Sequence, residues 1–195
     1  MHGLINRSIQ CFVRDTYGPE NWSAICSRAD LDFEDFEALL SYDDAVTEAV
    51  LAAASDVLGK DRAPFLEDLG HYLITHPGLD ALRRLLRFGG ETFVDFLLSL
   101  DDLHDRGKLA LPDLDLPKFE VRAYSATAFS LIYRWGDLGV VVLGVLRAMA
   151  DEYGALVLME HIPPGVQGEH DTITIELLEV AHAAGRRFDL GQVSA

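Results

Sequence analysis

The sequence predicts an α+β domain in which an N-terminal helical subdomain is followed by a C-terminal four-stranded antiparallel sheet with packed helices. Three observations carry that expectation. Apolar residues recur at helical spacing from Ile5 to Leu100. Gly107, Pro112 and Pro117 then interrupt any regular helix. Beyond Phe119, β-branched and aromatic residues alternate in short runs bounded by turn residues.

Ile5, Ile9, Phe12 and Val13 share one face of a first helix, which Gly18-Pro19 stops after Tyr17. Phe33, Phe36 and Leu40 have the spacing of another helical stripe. Ala45 to Leu58 reads as a helix closed by Gly59, and Pro64 to Ile74 as one that ends before His76-Pro77. Leu79, Leu82, Leu85 and Leu86 continue the pattern to Gly89-Gly90. The next helix carries Phe93, Phe96, Leu97, Leu100 and His104 on one core-facing stripe. The run LALPDLDLP is expected to be extended and to mark a subdomain boundary. Phe119 to Trp135 supplies two strands and Leu138 to Tyr153 a helix ended by a left-handed Gly154. Leu156 to Ile162 and Thr172 to Leu178 supply two more strands, joined by PPGVQGEHD. The closing FDLGQVSA is weakly structured by composition. At 195 residues the chain reads as one domain, 1–195, with a helical subdomain over approximately 1–60 and the remaining helices and sheet over 61–195.

Charge and composition exclude several functions. Thirty-two acidic against 16 basic side chains, a net charge of −16, repel a phosphate backbone, so no nucleic acid is expected as partner. Cys11 and Cys26 form no CxxC pair, which argues against a disulfide framework or a thiolate zinc site. No run approaches the roughly 18 apolar residues of a membrane span, and the opening MHGLINRSIQCF has no leader pattern, so a cytoplasmic protein without membrane association is expected. His71, His76, His161, His170 and His182 lack HExxH spacing. Asp43-Asp44 and Asp101-Asp102 point their carboxylates in different directions. With no GxSxG elbow and no phosphate-binding glycine loop, no enzyme activity is expected.

His104 is the most informative side chain. An imidazole ending a Phe/Leu stripe offers a neutral nitrogen inside an apolar wall, which suits haem iron, while a hydrogen-bonded packing histidine has the same pattern. The opening MHGLINRSIQCFVRDTYG, the LDDLH that ends at His104, a proline thirteen residues later (Pro117) and a tyrosine twenty-nine later (Tyr133) together resemble the H-NOX family of haem nitric oxide/oxygen binding (HNOB) domains. The likeness runs over essentially the whole chain. It implies the H-NOX fold, haem b with His104 as iron ligand, and Pro117 pressing on the porphyrin. It further implies a pocket that includes Leu4, Ile5, Phe96 and Val142, with Tyr133 and position 135 near the haem propionates.

The family's Tyr-x-Ser-x-Arg motif is degenerate here, because Tyr133 is followed by Arg134, Trp135, Gly136 and Asp137. Trp135 and Asp137 stand where the family has serine and arginine, so two propionate donors are missing and a carboxylate takes the place of a cation. Strand alternation puts Tyr133, Trp135 and Asp137 on one face and Arg134 on the other, so Arg134 replaces the lost cation only with a bulge or register change, and Arg83, Arg84, Arg87 and Arg122 are the other substitutes. Trp135 either lies against the porphyrin edge or packs in the sheet. Val142 stands where oxygen-binding relatives carry a tyrosine, and an apolar wall favours nitric oxide over oxygen. The resemblance therefore implies a haem-based nitric oxide sensor of bacterial type. In it, weakening of the His104 to iron bond relaxes the haem, and the shift is read by a separate signalling protein such as a histidine kinase or a cyclic-di-GMP enzyme. The alternative is a haem-free H-NOX-like interaction module or a binder of another apolar ligand.

Overall fold

The structure is a computed structural model and describes residues 1–110, 116–165, 169–183 and 185. Helix α1 (Gly3–Tyr17) buries Ile9, Phe12 and Val13, and Gly18 at φ 96° ends it. Pro19 then starts a second helix, α2 (Pro19–Arg28), which the sequence reading passed over: proline lacks the N–H that a first helical turn leaves unpaired anyway. Helices α3 (Asp44–Leu58), α4 (Arg62–Thr75) and α5 (Asp80–Arg87) follow. The Phe93 to His104 stripe is helical but broken into α6 (Phe93–Leu98), a 3-10 turn (Ser99–Asp102) and α7 (Leu103–Ala110).

The second half is a four-stranded antiparallel sheet of β1 (Glu120–Ala123), β2 (Ala128–Tyr133), β3 (Leu156–Ile162) and β4 (Asp171–Glu179), in the order β1-β2-β4-β3. Phe129 faces Ile175 and Leu131 faces Ile173 across β2 and β4, which stacks four buried apolar side chains on one sheet face. Helix α8 (Gly139–Tyr153) joins β2 to β3 and ends at Gly154, left-handed at φ 71° as expected.

α8 crosses α4 at two glycines. A methyl group built on Gly144 would lie 1.9 Å from the Glu67 carbonyl oxygen, and one on Gly70 would lie 2.1 Å from that of Val141. The two backbones therefore touch, and the crossing draws together two apolar clusters. One holds the sheet, α6 and most of α8; the other holds α1 to α4. Trp135 and Val145 pack against both.

Three local expectations need correction. Phe33, Phe36 and Leu40 do not lie on a helix: residues 31–42 cross the helices as irregular chain. Side chains satisfy their backbone instead. Gln10 accepts from the Phe36 N–H at 2.9 Å, Arg7 donates to the Phe36 carbonyl at 3.0 Å, and the Trp22 indole donates to the Glu34 carbonyl at 2.7 Å. Gly107, expected outside any helix, lies within α7. Strand alternation does not extend through position 137 either, because β2 stops at Tyr133 and Gly136, at φ 51°, opens a 3-10 turn (Gly136–Leu138). Most of LALPDLDLP, the middle of PPGVQGEHD and all of FDLGQVSA lie outside the described residues.

Candidate functional site

α6 is started by a reciprocal cap. The Thr92 hydroxyl oxygen accepts from the Asp95 N–H at 3.1 Å, while the Asp95 carboxylate accepts from the Thr92 N–H at 3.0 Å. The 3-10 turn then tightens the helical path and brings His104 into α7, buried to 7% exposure. Its Nδ1 lies 2.6 Å from the carbonyl oxygen of Leu116. A carbonyl only accepts, so Nδ1 is the donor, and in the neutral tautomer this bond selects, Nε2 is the nitrogen left to bind a metal. Gly107 lies against the same segment, where a methyl group would come within 2.6 Å of the tip of the Leu116 side chain.

Beside this histidine lies an apolar cleft of about 160 Å³ between the two clusters. Leu4, Ile5, Phe96, Pro117, Trp135 and Val142 line it, bringing six of the sequence-proposed pocket residues together. His104 lies just behind this lining: Leu103, its chain neighbour, and Leu116, its hydrogen-bond partner, are both on the wall. Tyr133 does not reach the cleft. It is buried against Phe119, with ring centroids 5.5 Å apart, and its hydroxyl donates to the Gly139 carbonyl at 2.7 Å. Burial, aided by the Asp171 carboxylate, pushes that hydroxyl well above its ordinary pKa and keeps it a donor. Ser8 is on the wall, but its hydroxyl donates to the Leu4 carbonyl at 2.9 Å.

The donor set fits haem. The buried imidazole is a nitrogen ligand of the kind that holds haem iron. The walls are apolar, as a porphyrin face requires. At about 160 Å³ the cleft is a slot, below the roughly 300 Å³ at which small-molecule sites begin, so admitting a macrocycle means spreading its walls.

None of the four arginines proposed as propionate partners lines the cleft. Arg83 lies 3.8 Å from the Glu152 carboxylate, Arg87 stacks 4.0 Å over the Tyr153 ring, Arg122 pairs with Glu120 at 2.7 Å and Arg84 is exposed. One feature escaped the sequence reading: the Leu116 carbonyl left no signal, because any backbone carbonyl can serve. Arg134, set aside on strand alternation unless the strand was interrupted, lines a second, polar pocket together with Trp135. Gly136, where the strand breaks, was the sign that alternation ends there.

A helical subdomain joined to an antiparallel sheet, with an apolar slot between the two halves beside one oriented imidazole, defines the class as an α+β cleft domain. The chain belongs to the haem-NO-binding family (HNOB), whose model matches residues 2–161. It is 23% identical to soluble guanylate cyclase 89Db of Drosophila melanogaster over 164 residues, 83% of this chain and 24% of that protein. It is 26% identical to soluble guanylate cyclase gcy-31 of Caenorhabditis elegans over 184 residues, 93% of this chain and 24% of that protein. The chain thus spans about a quarter of the length of these curated relatives. In fold it is similar to an H-NOX protein of S. oneidensis in the Fe(II) ligation state (TM-score 0.79, 16% identity, covering 92% of this chain and 97% of that one). It is also similar to the Fe(II) unliganded H-NOX protein of K. algicida (TM-score 0.74, 18% identity, 97% and 100%). No helix among the described residues is long and apolar enough to cross a membrane.

Proposed function

We propose that this domain holds haem b through Nε2 of His104 and senses nitric oxide for a separate signalling protein, without catalysing a reaction itself. The observation that supports it is the buried His104, its Nδ1 proton given to the Leu116 carbonyl, behind an apolar slot. When bound, ferrous haem supplies an iron to which nitric oxide binds strongly without a hydrogen bond. Val142 and Ile5 present hydrocarbon and no donor, which withholds the stabilisation that bound oxygen needs. Pro117 is buried on the same wall and limits how the ligand lies. His104 is tied to the segment through Leu116, and the slot is lined from both apolar clusters, so a change in what His104 holds is felt in both halves. A histidine kinase or a cyclic-di-GMP enzyme would read that displacement in the cytoplasm.

Expression with haem supply tests the reading: the purified protein is expected to show a Soret band that shifts on addition of nitric oxide and is unchanged in the ferrous state by air. A ferrous protein that forms a stable oxygen complex contradicts it. A second reading is favoured by the small slot and by Trp135 at a propionate-donor position: a haem-free module that takes a smaller apolar ligand. Its mark is a folded protein with no Soret band after haem supply, stabilised by a small apolar probe.

A further inference from the structure

Past Tyr133 the backbone leaves the strand. Trp135 adopts φ −136° and ψ 26°, and the left-handed Gly136 starts the 3-10 turn that runs on into α8. This change of direction brings Arg134 and Trp135 to the rim of a polar pocket of about 510 Å³, bounded by Thr47 and Glu48 of α3 and by Arg62 at the start of α4. Trp135 lines this pocket and the apolar slot as well, and among the described residues it is the one common to the two linings. A ligand filling the slot therefore has a polar chamber on the far side of a single indole.

Among the described residues, the charges lining that chamber do not all pair. Glu48 is held by both terminal nitrogens of Arg62, one at 2.7 Å, and Asp44 by the Met1 ammonium at 2.6 Å. Arg134 is exposed and makes no ion pair or hydrogen bond among the described residues. Arg14, Arg28 and Arg147 each reach a carboxylate, whereas Arg134, like the exposed Arg84, has its guanidinium open to solvent. Gly136 and Leu138 open the helical run that continues as α8 and line the same chamber, so the positive end of a helix dipole adds to the field of Arg134. An uncompensated guanidinium and a helix start at the end of an apolar slot make a receptor for a flat apolar molecule with an anionic edge.

We propose that Arg134 and this chamber receive the carboxylates of haem, replacing the serine and arginine donors that Trp135 and Asp137 have displaced. The proposal rests on the haem reading above. Arg134 occupies a different sequence position from the lost arginine, and the break at Gly136 rather than strand alternation is what makes it available.

The test compares iron protoporphyrin IX with its dimethyl ester, which keeps the macrocycle and iron but has no charged edge. Wild-type protein is expected to bind the free acid about tenfold more tightly than the ester, as measured by Soret titration and by the rate of transfer to an acceptor apo-globin. Arg134→Met is expected to lose most of that preference while binding the ester as before, and Arg134→Lys to keep part of it. Circular dichroism checks that both variants are folded. If Arg134→Met still prefers the free acid as strongly as wild type, or if wild type shows no preference, the assignment of Arg134 is wrong although His104 still holds haem. If wild type binds neither porphyrin, the haem reading falls and this proposal with it.

Discussion

Gly144→Ala tests how the two halves are joined. The added methyl group would meet the Glu67 carbonyl oxygen at 1.9 Å, whereas ordinary contact begins near 3.4 Å, so α4 and α8 must separate by about 1.5 Å (3.4 − 1.9). The obstacle is backbone and cannot rotate away, which puts the overpacking cost near 3 kcal/mol. Alanine's better helix propensity returns about 1 kcal/mol. The net loss is about 2 kcal/mol, or about 4 to 8 °C in Tm for a domain of this size. Gly70→Ala meets the Val141 carbonyl at 2.1 Å across the same crossing, so once one substitution has parted the helices the second costs less. Urea denaturation of both single variants and the double variant measures this. A Gly144→Ala protein as stable as wild type, or a double variant whose loss equals the sum of the singles, refutes the backbone contact.

Other substitutions probe separate parts of the molecule. Val142→Tyr places a hydroxyl on the cleft wall and is expected to give a ferrous protein that holds oxygen in air, read as a shifted visible spectrum. Gln10→Ala removes the acceptor for the buried Phe36 N–H and is expected to cost about 1 to 3 kcal/mol in urea denaturation. The Arg62 hydrogen bonds hold the Glu48 carboxyl below its ordinary 4.5, so their contribution to stability is complete above about that pH and is lost as pH falls through the lowered folded value. Glu48→Gln is expected to flatten the acid limb of the stability profile slightly, because the pair is partly exposed.

Much of the fold was legible because backbone chemistry wrote it into single residues. Gly154 ends α8 where a left-handed residue was expected, and the strands fall where β-branched residues alternate. The Phe33-Phe36 spacing misled because two aromatic rings three residues apart also pack together from irregular chain. What holds that chain, Gln10 and Trp22, lies in earlier helices and shows no local signal. Helix α2 was hidden behind a proline that was read as a stop but serves as a first helical residue. At the site, Phe96 lay on the helical stripe that ends at His104, whereas Leu4, Ile5, Pro117 and Val142 were implied by the family resemblance and no local pattern marked them as one wall. The partner of His104 and the place of Arg134 depend on contacts between separate segments and on the turn at Gly136.

The most direct measurement is the haem spectrum of His104→Gly with and without added imidazole. With Nε2 of His104 as the iron ligand, the variant is expected to lose the wild-type ferrous Soret band and to regain it when free imidazole fills the space left by the side chain. A variant whose spectrum matches wild type without imidazole would show that iron is held by another group.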